Sequence, residues 1–180
     1  IEFFTDTIKV YRACIELGTA TDTYDAAGKV TSQCDASGID RDAVERALQG
    51  FQGTIEQTPP MFSALKHQGQ PLYRLARAGI TIARAGRTIT IHRLTLLACE
   101  FPEVTLEIEC SKGTYIRSLA HDLGTSLGCG AHLKKLVRTR NGIFDISCAS
   151  SLAALETAFK AGNAAGILYP IDSVLQKMER

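Results

Sequence analysis

The sequence predicts an α+β fold built on one mixed, largely antiparallel sheet. Three observations carry this expectation. Residues 8–17, 87–99, 103–110 and 132–140 alternate apolar and polar side chains with the period of two that a half-buried strand requires. The links between these segments are short or irregular, and helical patterns are too few to provide one crossover per strand, which argues against a doubly wound parallel sheet. The 180 residues are 45% hydrophobic and 22% charged, enough apolar chain for a single core.

The elements follow in order. In 8–17, Lys9, Tyr11, Ala13, Ile15 and Leu17 point one way, and Val10, Arg12, Cys14 and Glu16 the other. Residues 18–38 are rich in Gly, Thr, Asp and Ser and read as loop and turns with a short strand near 29–33. Asp22 and Asp25 suit Asx turns, in which the carboxylate accepts from nearby backbone N–H groups. Asp40 is placed to cap a helix over 41–50 that turns Val44, Leu48 and Phe51 inward. Pro59-Pro60 excludes a regular helix or central strand there. Residues 61–86 form a long excursion with a short helix at 72–78, and excursions of that length usually serve a function. Residues 87–99 and 103–110 make an antiparallel hairpin across 100–103. A glycine turn then leads into a helix over 115–127, with Thr114 as N-cap and Ile116, Ala120, Leu123 and Leu127 as a buried stripe. After the strand at 132–140, residues 151–161 read as a last amphipathic helix.

The net charge of +1 conceals an asymmetry. Residues 1–60 carry five Lys and Arg against ten Asp and Glu, residues 61–142 twelve against five, and residues 143–180 three against four. A basic middle segment is the footprint expected for a polyanionic partner. Lys66, Arg74, Arg77, Arg84 and Arg87 crowd one stretch, and Lys134, Arg138 and Arg140 alternate along another, which suits phosphate contacts. No apolar run approaches membrane-spanning length, so no membrane partner is expected. The opening Ile1-Glu2-Phe3-Phe4 has no signal-peptide pattern. Six scattered cysteines lack a disulfide-scaffold spacing and suit a reducing cytoplasm, with Cys14, Cys99 and Cys110 expected to act as small apolar residues. Cys129-x-x-His132 is the only metal-like pair, and no second pair completes a zinc site, so no metal is expected.

Arg117 is the oddity. A cation in the first turn of a helix opposes the helix dipole by about 0.3–1 kcal/mol. Asp122, five residues on, lies off its face. Arg117 therefore calls for an anionic partner from elsewhere, a carboxylate or a phosphate. His67, His92, His121 and His132 are isolated, so no catalytic triad can be argued from spacing; His121, one turn after Arg117, is placed to face the same site, but the helix surface is the expected position for it.

Four motifs go further. They are Lys9-Val10-Tyr11 with Leu17-Gly18, Thr21-Asp22-Thr23-Tyr24-Asp25 and Gly28; Pro60-Met61-Phe62-Ser63-Ala64-Leu65-Lys66 with Gly69, Leu72-Tyr73, Ala76-Arg77 and Gly79; Lys112-Gly113-Thr114-Tyr115-Ile116-Arg117 with Asp122-Leu123-Gly124; and Leu127-Gly128-Cys129-Gly130-Ala131-His132-Leu133 with Leu136 and Arg138. In order and spacing they resemble the tRNA pseudouridine synthase B (TruB) family over nearly all of 8–142. The resemblance implies the sheet of the pseudouridine synthase catalytic fold, incomplete here, with 61–86 as a thumb-like RNA-binding insertion. It implies a partial catalytic domain over 1–150 and the start of a truncated C-terminal region over 151–180.

The implied activity is isomerisation of a T-loop uridine of tRNA, at position 55, to pseudouridine, without cofactor, by a monomer whose partner is the T arm. Tyr11 matches the family tyrosine that stacks on the target base and is a candidate for the final proton removal. Arg117 matches the arginine that pairs with the nucleophilic Asp. Asp25 matches the rim of the site, and Tyr115 and Leu136 its walls. Lys66, Arg77, Lys134 and Arg138 are the expected substrate contacts of the basic clusters. The family's nucleophile sits in a Gly-Thr-Leu-Asp-Pro segment that these 180 residues do not contain and whose place would precede Ile1. The chain alone is therefore expected to be inactive. Arg117 is expected to be a site residue of little weight for the fold, either unpaired or holding a solvent anion or a substitute such as Asp25. The alternative is a non-catalytic tRNA-binding or RNA-folding protein that keeps the groove without the chemistry.

Overall fold

In a computed structural model describing residues 6–178, strand β1 (Lys9–Leu17) lies inside a six-stranded antiparallel sheet. Residues 1–5, with the Ile1-Glu2-Phe3-Phe4 opening, and residues 179–180 lie outside the described residues. β1 pairs on one side with β8 (Glu103–Cys110) and on the other with β9 (Ala131–Asn141). Beyond β8 come β7 (Arg87–Glu100) and the edge strand β4 (Gly53–Gln57); beyond β9 comes the two-residue β10 (Phe144–Asp145). The β7–β8 hairpin closes at Glu100 opposite Glu103, as the sequence predicts.

Alternation along the strands sorts the two faces. Ala13, Ile15 and Leu17 of β1 and Val104, Leu106, Ile108 and Cys110 of β8 enter one buried cluster. Helix α1 (Arg41–Gln49) adds Val44 and Leu48, and helix α3 (Ile116–Ser126) adds Ile116, Leu119, Ala120 and Leu123. Asp40 caps α1 as expected, its Oδ1 accepting from the Ala43 N–H at 2.7 Å. The other face is polar and laced by ion pairs, Arg93 to Glu107 at 3.0 Å and Arg140 to Glu109 at 3.2 Å among them. Cys14 faces this side and is not a core residue. Its thiol donates to Glu103 Oε2 at 3.1 Å and is pushed up to about 11, first by burial and then by that carboxylate.

The remaining elements are small. β2 (Thr19–Thr21) and β3 (Val30–Gln33) pair into a separate hairpin inside the stretch expected to be mostly loop. The excursion holds β5 (Lys66–His67), β6 (Gln70–Pro71) and helix α2 (Leu72–Arg77). Two strands of the six-stranded sheet escape the sequence reading. β4 offers only Ile55 as an apolar signal between exposed Thr54 and Glu56, and β10 is too short to alternate. Helix α4 (Leu152–Lys160) forms where expected, capped by Ser151, yet it buries no residue, and Leu152 is 85% exposed. A further helix, α5 (Ile171–Met178), has no counterpart in the sequence reading.

Thr114 does not cap α3. Its hydroxyl donates to Ser111 O at 3.0 Å and closes the preceding turn, while extended Tyr115 takes the N-cap position. At its far end α3 approaches β9 so closely that a Cβ on Gly124 would overlap the backbone of Gly130 and Ala131. That close approach sets α3 against the sheet and so places its first turn beside β1 and β9.

Candidate functional site

Topology brings distant residues together beside β1. Tyr11 lies opposite Arg138, and Ala13 opposite Leu136, in the β1–β9 register. The loop of residues 22–28 docks along β9: Leu133 N–H donates to Tyr24 O at 2.9 Å, and Ala26 N–H to Leu133 O at 3.0 Å. β8 ends at Cys110 beside Lys9, so the turn that follows delivers Tyr115 and Arg117 next to Tyr11. The result is an open cavity of about 470 Å³ walled by Tyr11, Asp25, Tyr115, Arg117, Leu133 and Leu136, among others. Six residues singled out from the sequence, Lys134 with Tyr11, Asp25, Tyr115, Arg117 and Leu136, thus share one hollow.

Arg117 finds its anion. Nη1 lies 3.0 Å from Asp25 Oδ2, Nη2 donates to Phe62 O at 2.8 Å, and Nη1 also reaches Thr23 O at 3.5 Å. The substitute partner anticipated for it, Asp25, is the one the fold supplies. Burial raises the Asp25 pKa, but hydrogen bonds from Thr23 Oγ1 and the Ala27 N–H, together with Arg117, outweigh it and hold the carboxyl below its ordinary value. Asp25 makes the expected Asx turn through the Ala27 N–H, but Asp22 does not: its Oδ1 accepts at 2.8 Å from the N–H of Lys29, seven residues on, and closes the loop instead. Arg117 also ties the 22–28 loop and the foot of the excursion to α3, so it carries weight in the fold that the sequence reading did not give it.

Tyr11 is half-buried. Burial, then the Cys110 thiol, raises the pKa of its phenol, and a hydrogen bond and the charge of Arg138 oppose the rise. Leu136 is 44% exposed and leaves an apolar wall open to a ligand. The basic residues divide. Arg138 stands beside Tyr11. Lys134 borders the cavity, but its ammonium is held by Glu16 at 2.6 Å and Glu103 at 2.7 Å on the polar face of the sheet. Lys66 and Arg77 lie out on the excursion, away from the cavity wall; Arg77 sits 5.6 Å over the Tyr73 ring, and Lys66 shares a cleft of about 140 Å³ with Arg84 and Arg87.

Four residues, His121, Tyr24, Gln57 and Phe62, contribute in ways not anticipated. His121 is no surface residue: it is half-buried and stacked on Tyr24, with ring centroids 3.9 Å apart and planes at 12°. Burial lowers its pKa, Asp122 opposes that, and Arg84 adds to it. Tyr24 itself holds a left-handed φ of 64°, uncommon for a residue with a Cβ and kept where the surroundings fix it. Gln57 and the Phe62 carbonyl grip the start of α3. The spacing of Arg117 and His121, one turn apart, pointed His121 toward the site, while nothing in the sequence pointed to its stack on Tyr24. Gln57 had no signal, because β4 was not recognised as a strand. A second hollow of about 530 Å³, between Glu16, Gly18, Asp35 and Phe101, gathers none of the anticipated residues. Among the described residues no cluster of His, Cys, Asp and Glu could hold a metal, all six cysteines are free, and no helix is long and apolar enough to cross a membrane.

Known proteins can now be set beside this geometry. A tRNA pseudouridine synthase B from Chromohalobacter salexigens is 47% identical over 173 residues, 96% of this chain and 56% of that protein. One from Dehalococcoides mccartyi is 45% identical over 180 residues, 100% of this chain and 60% of that protein. The chain thus spans well under two thirds of the length of these relatives. A chain in the crystal structure of a Cbf5–Nop10–Gar1 complex shares the fold, with a TM-score of 0.66 and 27% identity over 93% of this chain and 40% of that one. The family model for the TruB family pseudouridylate synthase N-terminal domain matches residues 1–116, and that for the tRNA pseudouridylate synthase B C-terminal domain matches residues 117–180. The change between the two falls in the first turn of α3, between Ile116 and Arg117, so both matches meet at the cavity. The chain belongs to the TruB family of pseudouridylate synthases.

Proposed function

We propose that the protein to which these residues belong isomerises a T-loop uridine of tRNA, at position 55 by family resemblance, to pseudouridine. The observation that carries this reading is the convergence of Tyr11, Asp25, Tyr115, Arg117 and Leu136 on one cavity. The reaction balances internally. The C1′–N1 bond breaks, the uracil turns, a C1′–C5 bond forms, C5 gives up its proton and N1 gains one. No co-reactant is consumed and no cofactor is needed. The protein's tasks are extrusion, positioning and electrostatics.

In this reading Tyr11 stacks on the extruded uracil, and Tyr115 and Leu136 hold its sides. Arg117, fixed by Asp25 and Phe62 O, keeps its Nε–H for a second anion, the nucleophilic carboxylate of the Gly-Thr-Leu-Asp-Pro segment, which attacks either the sugar or the base. Burial moves the Tyr11 phenol further above its ordinary value, so its hydroxyl serves as a relay, accepting the C5 proton as it passes its own to solvent water, from which N1 is protonated. The excursion over 61–86, the thumb-like insertion of the family, embraces the T arm, whose loop is read by shape and by splayed bases.

Tritium release from tRNA labelled at uridine C5 tests the reading. The intact protein is expected to release tritium, and these 180 residues alone to bind a T-arm stem–loop without release. Tyr11→Phe in the intact protein is expected to bind RNA and lose turnover; equal rates for wild type and Tyr11→Phe would refute the role of the hydroxyl. An intact protein that binds the stem–loop and releases nothing is a non-catalytic tRNA-binding protein.

A further inference from the structure

Gln57 is a side-chain amide buried to 2% exposure at the root of the excursion. Alternation along β4 places Gly53, Ile55 and Gln57 on the inward side. An apolar side chain would fill that position with no polar group to satisfy. The amide instead spends both of its ends on one residue. Nε2 donates to Tyr115 O at 3.0 Å, and Oε1 accepts from the Tyr115 N–H at 2.8 Å. A neighbouring strand makes the same exchange with an extended residue, and Tyr115 is extended, with φ −94° and ψ 104°. Tyr115 opens α3 with no side-chain cap of its own and lines the cavity.

Two further bonds run in the same direction. Ser118 Oγ donates to Thr58 O at 2.9 Å, and Arg117 Nη2 to Phe62 O at 2.8 Å. Residues 57–62 therefore lie along the first turn of α3 and touch Tyr115, Arg117 and Ser118. The same residues are the stalk by which the basic excursion joins the sheet.

We propose that Gln57 is a positioning residue that fixes Tyr115 in the cavity wall and makes the 57–62 stalk a relay, so that RNA held by the excursion sets Tyr115 and Arg117. The RNA arm of this proposal rests on the function proposed above; the clamp on Tyr115 does not. Gln57 touches no substrate. The clamp needs a donor and an acceptor at this reach. Methionine matches the length and has neither in comparable strength, and glutamate keeps the acceptor and loses the donor at neutral pH.

Amide hydrogen exchange on the chain, free and with a T-arm stem–loop RNA, tests both halves. In the free protein Gln57→Met is expected to speed exchange at the Tyr115 amide by about tenfold or more while Ile15 and Leu106 at the sheet centre keep their protection. RNA is expected to slow exchange across residues 115–119 in the wild type. In Gln57→Met that slowing is lost although the affinity for RNA changes by less than about threefold, because the phosphate contacts are untouched. In the intact enzyme kcat falls by about tenfold to a hundredfold with KM nearly constant, the mark of misplacement and not of weakened binding.

Unchanged Tyr115 protection in a folded Gln57→Met overturns the clamp. Equal RNA-induced slowing in both proteins overturns the relay. If Gln57→Met also loses protection at Ile15 and Leu106, Gln57→Glu decides: its intact acceptor keeps the Tyr115 N–H bond, its missing donor frees Tyr115 O, and wild-type coupling to RNA in that variant overturns the proposal. A wild type that binds no RNA sinks the functional reading and the relay together, while the free-protein comparison still judges the clamp.

Discussion

Arg117 holds two other segments to α3 through one planar group. Its side chain is 25% exposed and its bonds to Asp25 and Phe62 O are charge-assisted. Lysine keeps the charge and loses the fork. Arg117→Lys in the intact enzyme is therefore expected to cut single-turnover rate by about a hundredfold, the cost of a misplacement of about 1 Å. It should also lower stability by about 1.5–3 kcal/mol, the range for hydrogen bonds to a charged group, where the sequence alone suggested less than about 1 kcal/mol. The two readings are the single-turnover rate and the urea midpoint of one mutant; near-normal turnover with a large fall in midpoint would make Arg117 purely structural. Asp25 supplies the pH dependence. Its folded pKa lies below the ordinary carboxylate value, so its contribution is full above the unfolded pKa and is lost as pH falls through the folded one. Asp25→Asn is expected to lower the urea midpoint at pH 6–7 and to converge on the wild type as pH falls below about 4. A difference that persisted unchanged at low pH would show that charge is not what Asp25 contributes.

At the scale of elements, the site depends on how α3 meets the sheet. Ile116, Ala120 and Leu123 of its buried stripe were legible from helical spacing; Leu119 was not among the expected residues, and Leu127, which was, is half-buried at the C-cap. The distance of α3 from β9 was not legible, since only the assembled pair shows that Gly124 faces the Gly130–Ala131 backbone. Gly124→Ala raises helix propensity, yet the added methyl has backbone in its way. We expect a net loss of about 3 kcal/mol, at the upper end of overpacking costs, measured by urea denaturation, with loss of activity in the intact enzyme as the first turn shifts. A stabilised Gly124→Ala would mean that α3 can move outward freely and that its seat does not set the site. The same reasoning explains the elements the sequence misjudged. The start of α3 is satisfied by the Gln57 side chain, 58 residues away, and not by the adjacent Thr114, because extended Tyr115 takes the N-cap place and the Thr114 hydroxyl is spent on the turn. α4 has an apolar pattern that the described residues leave uncovered. Pattern shows that a face is apolar, and it does not say what covers it.

At the scale of the whole molecule, charge is distributed by segment: acidic in 1–60, basic in 61–142. Several of the basic groups are already spent. Lys134 is held by two carboxylates, Arg140 and Arg93 by others. The excursion cations Lys66 and Arg77 form no ion pair among the described residues and stay open to solvent. Charge reversal of Lys66 and Arg77 together is thus expected to weaken binding to a T-arm stem–loop and to flatten its salt dependence by about 0.7 in log–log slope for each phosphate no longer engaged. An unchanged slope would show that the excursion is no phosphate clamp. The sequence by itself determined the alternating strands of the central sheet, the Asp40 cap, most of the α3 stripe, the excursion and the motifs that name the family, because each is written in residues close together along the chain. The tertiary structure alone decided that Asp25 meets Arg117 across 92 residues, that Tyr24 stacks on His121, that Lys134 turns to Glu16 and Glu103, and that Gln57 holds Tyr115. Local periodicity fixes which way a side chain points. Which partner waits there depends on strand order and register, and those are set by the packing of segments far apart in sequence.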